Sequence, residues 1–165
     1  MGGGKMILYH GATMRVEHPL CDFGRTDLDF GKGFYLTDLR EQAVEWAARQ
    51  ADSRKEPGFL NVYEFDKESA IKDYRYLLFL AYDIYWLHFI VNSRNGLKPW
   101  ADYDIIEGGI ANDRVVDTVN LYSLGLMDEK TALSRLSEHR PNNQICILNQ
   151  EIIEKYLSFK EMIAL

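Results

Sequence analysis

The clearest local pattern in the chain lies at residues 30–37, which read Phe30-Gly31-Lys32-Gly33-Phe34-Tyr35-Leu36-Thr37. The two glycines predict a turn, and the apolar and aromatic residues after them predict a strand over residues 33–37. Asp38 suits the cap of a following helix, because Glu41 three residues later completes something close to a capping box. That helix has one apolar stripe with a polar last member: Leu39, Ala43, Trp46, Ala47 and Gln50.

Further strands and helices are predicted on both sides of this segment, without a regular alternation. Strands are expected at residues 6–9, 58–65, 103–110 and 144–148, and a loop is expected at 15–32. Helices are expected at 74–91, from Asn112 or Asp113 to about 124, from Asp128 onward, and from Asn149 to 157. We interpret the chain as one α+β domain over residues 6–165, and residues 1–5 as an expression scar or a disordered start.

Composition narrows the class of protein. The net charge of -6, from 25 acidic and 19 basic residues without a basic cluster, argues against general nucleic-acid binding. The two cysteines, Cys21 and Cys146, predict free thiols in a reducing compartment. The most apolar stretch, residues 77–91, is too short to span a bilayer, so we expect a cytoplasmic protein with no membrane contact.

No metal site is expected, although several carboxylates lie near one another in sequence. Carboxylates separated by apolar residues are more often solvent-facing or capping groups than ligands. The aromatic segment at residues 74–89 is expected to form core or a protein interface rather than a cofactor pocket. The carboxylates concerned are Asp102, Asp104, Glu107 and Asp113.

Three segments place a polar or aromatic group where a purely structural strand residue would be apolar. They are Tyr9-His10-Gly11, the 30–37 segment with Tyr35, and the late strand that begins at Gln144. The glycines beside His10 and before Tyr35 are expected to let the backbone approach a ligand closely. Together the three segments form a constellation that indicates a ligand-binding site.

These segments resemble the motifs of the diphtheria-toxin and poly-ADP-ribose-polymerase branch of ADP-ribosyltransferases. His10-Gly11 resembles the first motif, and residues 30–36 with the following helix resemble the second. Gln144 lies where most active members have glutamate in the third. The pattern as a whole, including residues 103–108 and 111–113, is similar to the bacterial domain of unknown function 3990. The resemblance implies two small facing antiparallel sheets around an NAD cleft, with helices outside.

The resemblance also implies roles for particular residues in binding NAD as a substrate. His10 would bind the adenine-side ribose, Gly11 the nicotinamide amide through its backbone, and Tyr35 would stack on the nicotinamide ring. Gly33 and Thr37 belong to the same implied NAD-binding set. The implied catalytic set is Gln144, Tyr35 and Glu107.

Glutamine at position 144 leaves three alternatives open, because an amide is neutral and cannot act as a general base. The enzyme would make single transfers to an acceptor that brings its own nucleophile, a nearby carboxylate (Glu107 or Asp113) would supply the charge, or the protein would bind NAD without catalysis. We expect ADP-ribose transfer to a protein or nucleic-acid acceptor. The resemblance alone suggests a toxin with an antitoxin partner, and NAD hydrolysis is the enzymatic alternative.

Overall fold

The computed structural model describes residues 5–23, 28–111 and 115–165. Within these ranges the chain forms seven strands and six α-helices. In chain order they are β1 (Lys5–Ala12), β2 (Phe34–Leu36), α1 (Arg40–Arg54), β3 (Phe59–Asp66), α2 (Lys67–Asp73), β4 (Tyr76–Leu78), α3 (Ile84–Arg94), β5 (Ile105–Gly109), α4 (Val116–Ser123), α5 (Glu129–Leu136), β6 (Asn143–Ile147), α6 (Gln150–Tyr156) and β7 (Leu157–Ala164). The α+β class predicted from the sequence is confirmed.

The strands form two sheets. The first has the order β1-β3-β7 and is antiparallel, and the second has the order β2-β6-β5-β4. The expectation of two antiparallel sheets is wrong for the second one, because β4 runs parallel to β5. One buried cluster draws on both sheets, with Leu8 and Tyr63 from the first and Leu36 and Ile145 from the second. The sheets are thus held against a shared core.

The predicted helix over residues 74–91 is wrong in its first half. Tyr76 pairs with Ile105, so this part of the segment forms the edge strand β4. The helix α3 begins only after Asp83, whose side chain accepts the Trp86 N–H at 3.0 Å. The aromatic composition favours burial in either conformation, and the pairing partner in β5 decides which one forms.

Two of the predicted helix caps are confirmed and one is wrong. Asp128 and Asn149 cap α5 and α6 as expected, each accepting a backbone N–H from the first turn. Asp38 is not a cap: α1 starts after Leu39, whose N–H donates to Thr37 Oγ1 at 3.0 Å. The predicted caps Asn112 and Asp113 lie outside the described residues. The helix α2 and the strand β7 were not predicted.

None of the helices in the described ranges is long and apolar enough to cross a membrane.

Candidate functional site

A cleft opens where β1 and β2 separate. The two strands are joined at one point, where Tyr9 and Thr37 exchange backbone hydrogen bonds of 2.8 and 3.0 Å. Beyond it lies a cavity of about 490 Å³. Its walls are formed by His10, Gly11, Leu28, Asp29, Tyr35, Trp46, Arg49, Gln50, Ile110, Ala111 and Gln144. A second cavity of about 950 Å³ adjoins it and shares His10, Leu28, Tyr35 and Gln50.

The orientation of His10 is set by a bond between the two sheets. Its Nδ1 lies 2.7 Å from the backbone carbonyl oxygen of Tyr35. Because a carbonyl only accepts, Nδ1 carries the proton, and Nε2 of the neutral ring remains an acceptor. Burial lowers the pKa of His10 below its ordinary value of 6.5, and the bond to the Tyr35 carbonyl opposes this shift. The ring therefore presents an acceptor, and no charge, at neutral pH.

The ring of Tyr35 is held through its hydroxyl. The hydroxyl donates to the Gly31 carbonyl at 2.6 Å and accepts from the Phe30 N–H at 3.1 Å. Burial raises the pKa of this hydroxyl far above its ordinary range. With both hydrogen-bonding functions of the hydroxyl engaged, the ring is the part of Tyr35 that a ligand in the cleft can contact.

The two glycines of the 30–37 segment are required by packing within the protein itself. Gly31 has a φ of 91°, and a Cβ there would lie 2.2 Å from the ring of Trp100. A Cβ on Gly33 would lie 2.6 Å from the carbonyl oxygen of Ile147. Close packing against protein groups thus requires both glycines, although Gly33 also borders the larger cavity.

Gly11 combines close packing with a free strand edge. A Cβ on Gly11 would lie 2.0 Å from the Ala43 carbonyl oxygen, so the missing side chain lets α1 approach β1. Because backbone groups alternate along a strand, the N–H and C=O of Gly11 point to the same side as those of Tyr9, away from β3. Among the described residues, no strand pairs with this edge beyond Tyr9.

Gln144 shares a sheet face with Tyr35. Tyr35 is paired with Cys146 in the register of β2 and β6, and Gln144 is two residues from Cys146. The Gln144 side chain is only 4% exposed, and its Nε2 has no hydrogen-bond partner in the described part of the chain. Burying an N–H group without a hydrogen-bond partner costs about 1–3 kcal/mol of folding free energy. The described residues beside the cleft do not offset this cost for the Gln144 amide.

Thr37 lies behind the cleft. Its side chain is fully buried, and its hydroxyl donates to the Asn143 carbonyl at 2.8 Å. Gln42 Nε2 donates to the same carbonyl at 2.9 Å. Thr37 therefore supports the start of β6 and does not line either cavity.

Glu107 is not brought together with the other predicted site residues. It is paired with Ile145 in the register of β5 and β6, so its side chain lies on the opposite face of the sheet from Gln144. Its carboxylate accepts hydrogen bonds from the Tyr76 hydroxyl and Asn143 Nδ2, and it forms an ion pair with Lys67. The alternative carboxylate, Asp113, lies outside the described residues.

Several cleft residues were not singled out from the sequence. Asp29 is the one carboxylate that lines the 490 Å³ cavity within the described ranges, and it binds Arg94 Nε at 2.9 Å. Arg54 borders the larger cavity and donates to Thr13 Oγ1 at 3.3 Å. Gln50 also lines the cleft, and its polar side chain at the end of the apolar stripe of α1 was the available signal.

The comparison with protein-family models matches residues 6–159 to one family, described as protein of unknown function DUF3990. A search of curated proteins found no match. The similarity to this family that the sequence indicated is confirmed over all three cleft-forming segments. Since the match spans most of the 165 residues, the chain belongs to the DUF3990 family.

Proposed function

We propose that the protein transfers ADP-ribose from NAD to an acceptor. The observation that carries the proposal is the convergence of His10, Tyr35 and Gln144 on one cleft. They come from three strands and two sheets, far apart in sequence, and each carries a group suited to a different part of NAD. A chance assembly of core residues would leave apolar side chains at these positions.

The cleft suits the nicotinamide half of NAD. Tyr35 offers a ring for offset stacking, worth roughly 0.5–1.5 kcal/mol beyond burial. The N–H and C=O of Gly11, which no described strand pairs with, match the donor and acceptor of a carboxamide. Nε2 of Gln144, unpaired among the described residues, has the chemistry to donate to a ribose hydroxyl.

The adjoining cavity suits the adenosine and diphosphate half. His10 borders both cavities, and its Nε2 can accept from a ribose hydroxyl between them. Arg54 borders the larger cavity with its guanidinium near Thr13, and it supplies positive charge for a diphosphate. Clefts of this size are typical of small-molecule sites.

The residues of the cleft favour a single transfer over chain elongation. Cleavage of the glycosidic bond develops positive charge on the ribose, which a neutral Gln144 stabilises only through its amide dipole. Asp29 is already paired with Arg94 and is a poor candidate for a free base. The acceptor, a protein or a nucleic acid, must then supply its own nucleophile. NAD hydrolysis and binding without catalysis are the alternatives, and an antitoxin-controlled toxin is the proposed biological setting.

The first experiment is a calorimetric titration with NAD of the wild type, Tyr35→Ala and Tyr85→Ala. Tyr85 is 75% exposed on α3, outside the cleft, and serves as the matched control. We expect saturable binding by the wild type and Tyr85→Ala, and its loss in Tyr35→Ala. A folded wild type that does not bind NAD would overturn the proposal.

Mass spectrometry of candidate acceptors incubated with the protein and NAD then separates the reactions. An NAD-dependent mass gain on an acceptor supports transfer. Free ADP-ribose without a modified acceptor indicates hydrolysis, and intact NAD indicates binding only.

A further inference from the structure

Asn143 connects several elements at the residue before Gln144. Its Nδ2 donates to Glu107 Oε2 at 2.8 Å. Its backbone carbonyl accepts from Thr37 Oγ1 at 2.8 Å and from Gln42 Nε2 at 2.9 Å. The start of β6 is therefore tied to β5 through the side chain, and to α1 and the residue after β2 through the backbone.

Glu107 is a rigid anchor for this residue. It is only 6% exposed, and its Oε1 lies 2.5 Å from both the Tyr76 hydroxyl and Lys67 Nζ. The two carboxylate oxygens thus have separate tasks: Oε1 is held by Tyr76 and Lys67, and Oε2 is left for Asn143. Charge-assisted hydrogen bonds of this kind are stronger than neutral ones and define geometry better.

Gln144 has no comparable anchor within the part of the chain that the structure describes. Its Nε2 is unpaired among the described residues, so the position of the amide depends on the backbone that carries it. We propose, as an extension that rests on the proposed function, that Glu107 is a positioning residue. From the opposite face of the sheet it holds Asn143, and through Asn143 it sets the Gln144 amide in the cleft.

Single substitutions can break the hydrogen bond between Glu107 and Asn143, and a double substitution can restore it with donor and acceptor exchanged. In Glu107→Gln, an amide oxygen turned toward Lys67 and Tyr76 leaves the amide nitrogen facing Asn143, so two donors meet unless the Asn143 amide turns over to present Oδ1. The charge-assisted bond is lost in either case. In Asn143→Asp, two carboxylate oxygens meet instead. The double variant Glu107→Gln/Asn143→Asp pairs a donor with an acceptor again and keeps the total charge of the wild type.

Two measurements report whether these variants displace the Gln144 amide. The first is the Kd for NAD by calorimetry, and the second is the NMR signal of the Gln144 side-chain NH₂, assigned by its absence in Gln144→Met. We expect each single variant to shift this signal and to weaken NAD binding by about three- to tenfold, as the loss of one hydrogen bond in the support would do. The double variant should return both readouts to near wild-type values.

Tyr76→Phe is the matched control, because it removes another contact of Glu107 and leaves the Asn143 bond in place. We expect it to lower Tm without moving the Gln144 signal or the Kd. Asn143→Ala, which breaks the bond without opposing like groups, is the milder variant if Glu107→Gln does not fold.

Two results would overturn the positioning role. One is an unmoved Gln144 signal in the folded single variants, and the other is an equal shift in Tyr76→Phe. If the wild type binds no NAD, the proposed function fails, and the NMR signal still decides whether Glu107 positions Gln144.

Discussion

The side chain of His10 in β1 donates a hydrogen bond to the backbone carbonyl of Tyr35 in β2, at 2.7 Å. The bond lies just beyond the Tyr9–Thr37 bridge, where the two sheets begin to separate. One residue of the candidate site therefore fixes the backbone of the other. It also selects the His10 tautomer: Nδ1 must carry the proton, so Nε2 of the neutral ring is an acceptor.

Replacement of His10 by alanine should weaken NAD binding. Both the acceptor Nε2 and the bond to the Tyr35 carbonyl are lost, which should cost about 1–3 kcal/mol of binding free energy. Calorimetry measures the change, with His88→Ala as control because His88 is exposed and contacts Glu129 outside the cleft. An unchanged Kd in a folded His10→Ala variant would remove His10 from the site.

The low pKa of His10 should appear in the pH dependence of stability. As pH falls below the ordinary value of 6.5, the unfolded chain binds a proton on His10 before the folded chain does. The free energy of unfolding should therefore decrease below about pH 6.5 more steeply in the wild type than in His10→Asn. Urea unfolding at a series of pH values tests this. Parallel curves for the two proteins would show that burial of His10 does not lower its pKa.

Tyr35→Phe should separate the stacking ring from the structural hydroxyl. The hydroxyl serves the Gly31 carbonyl and the Phe30 N–H, so its loss should cost about 1–3 kcal/mol of folding stability. The ring remains, and the Kd for NAD should stay within about a factor of two of the wild type. Urea unfolding and calorimetry on the same preparation test the two parts. A large loss of NAD affinity in this variant would mean that the hydroxyl itself contacts the ligand.

Gln144→Glu should lower the free energy of unfolding at pH 7. At 4% exposure the new carboxylate is desolvated, so its pKa should rise above the ordinary glutamate value. The folded state then binds a proton before the unfolded state does as pH falls, and the stability lost at pH 7 should return progressively at lower pH.

The same variant should release nicotinamide from NAD faster than the wild type, because a carboxylate can polarise the ribose hydroxyl and offset the developing charge. Gln50→Glu places an equal charge elsewhere on the cleft wall and is the control. Equal acceleration by both variants would assign the effect to general electrostatics. No acceleration by either would leave position 144 without a catalytic role.

Gly11→Ala should disrupt the packing of α1 on β1. The added methyl would lie 2.0 Å from the Ala43 carbonyl oxygen and 2.7 Å from the Ala47 nitrogen, and neither backbone atom can move without shifting the helix. We expect a loss of about 1–3 kcal/mol or more in the free energy of unfolding. Gly58→Ala, whose nearest neighbour would be 3.3 Å away on the same helix, should cost less. Similar losses in both variants would contradict this account of Gly11.

Local sequence patterns predicted the elements whose signals are themselves local. The caps Asp128 and Asn149 act within one helical turn, and the strand over residues 58–65 follows from composition and turn residues. The helix predicted over residues 74–91 is wrong in its first half because aromatic residues suit a buried helix and a buried strand equally well. Pairing of Tyr76 with Ile105, 29 residues away, makes the first part of this segment a strand.

The sequence by itself determined which residue types are available for chemistry and which of them lie at the end or in the middle of strands: His10, Tyr35 and Gln144. It could not determine that Glu107, a residue with the right chemistry, lies on the wrong face to join them. That depends on the register of β5 against β6, in which Glu107 pairs with Ile145 and Gly108 with Gln144. A shift of one residue would exchange the two faces, because side chains alternate along a strand. Only long-range pairing sets the register, and so only the tertiary structure separates the cleft from the residue that supports it.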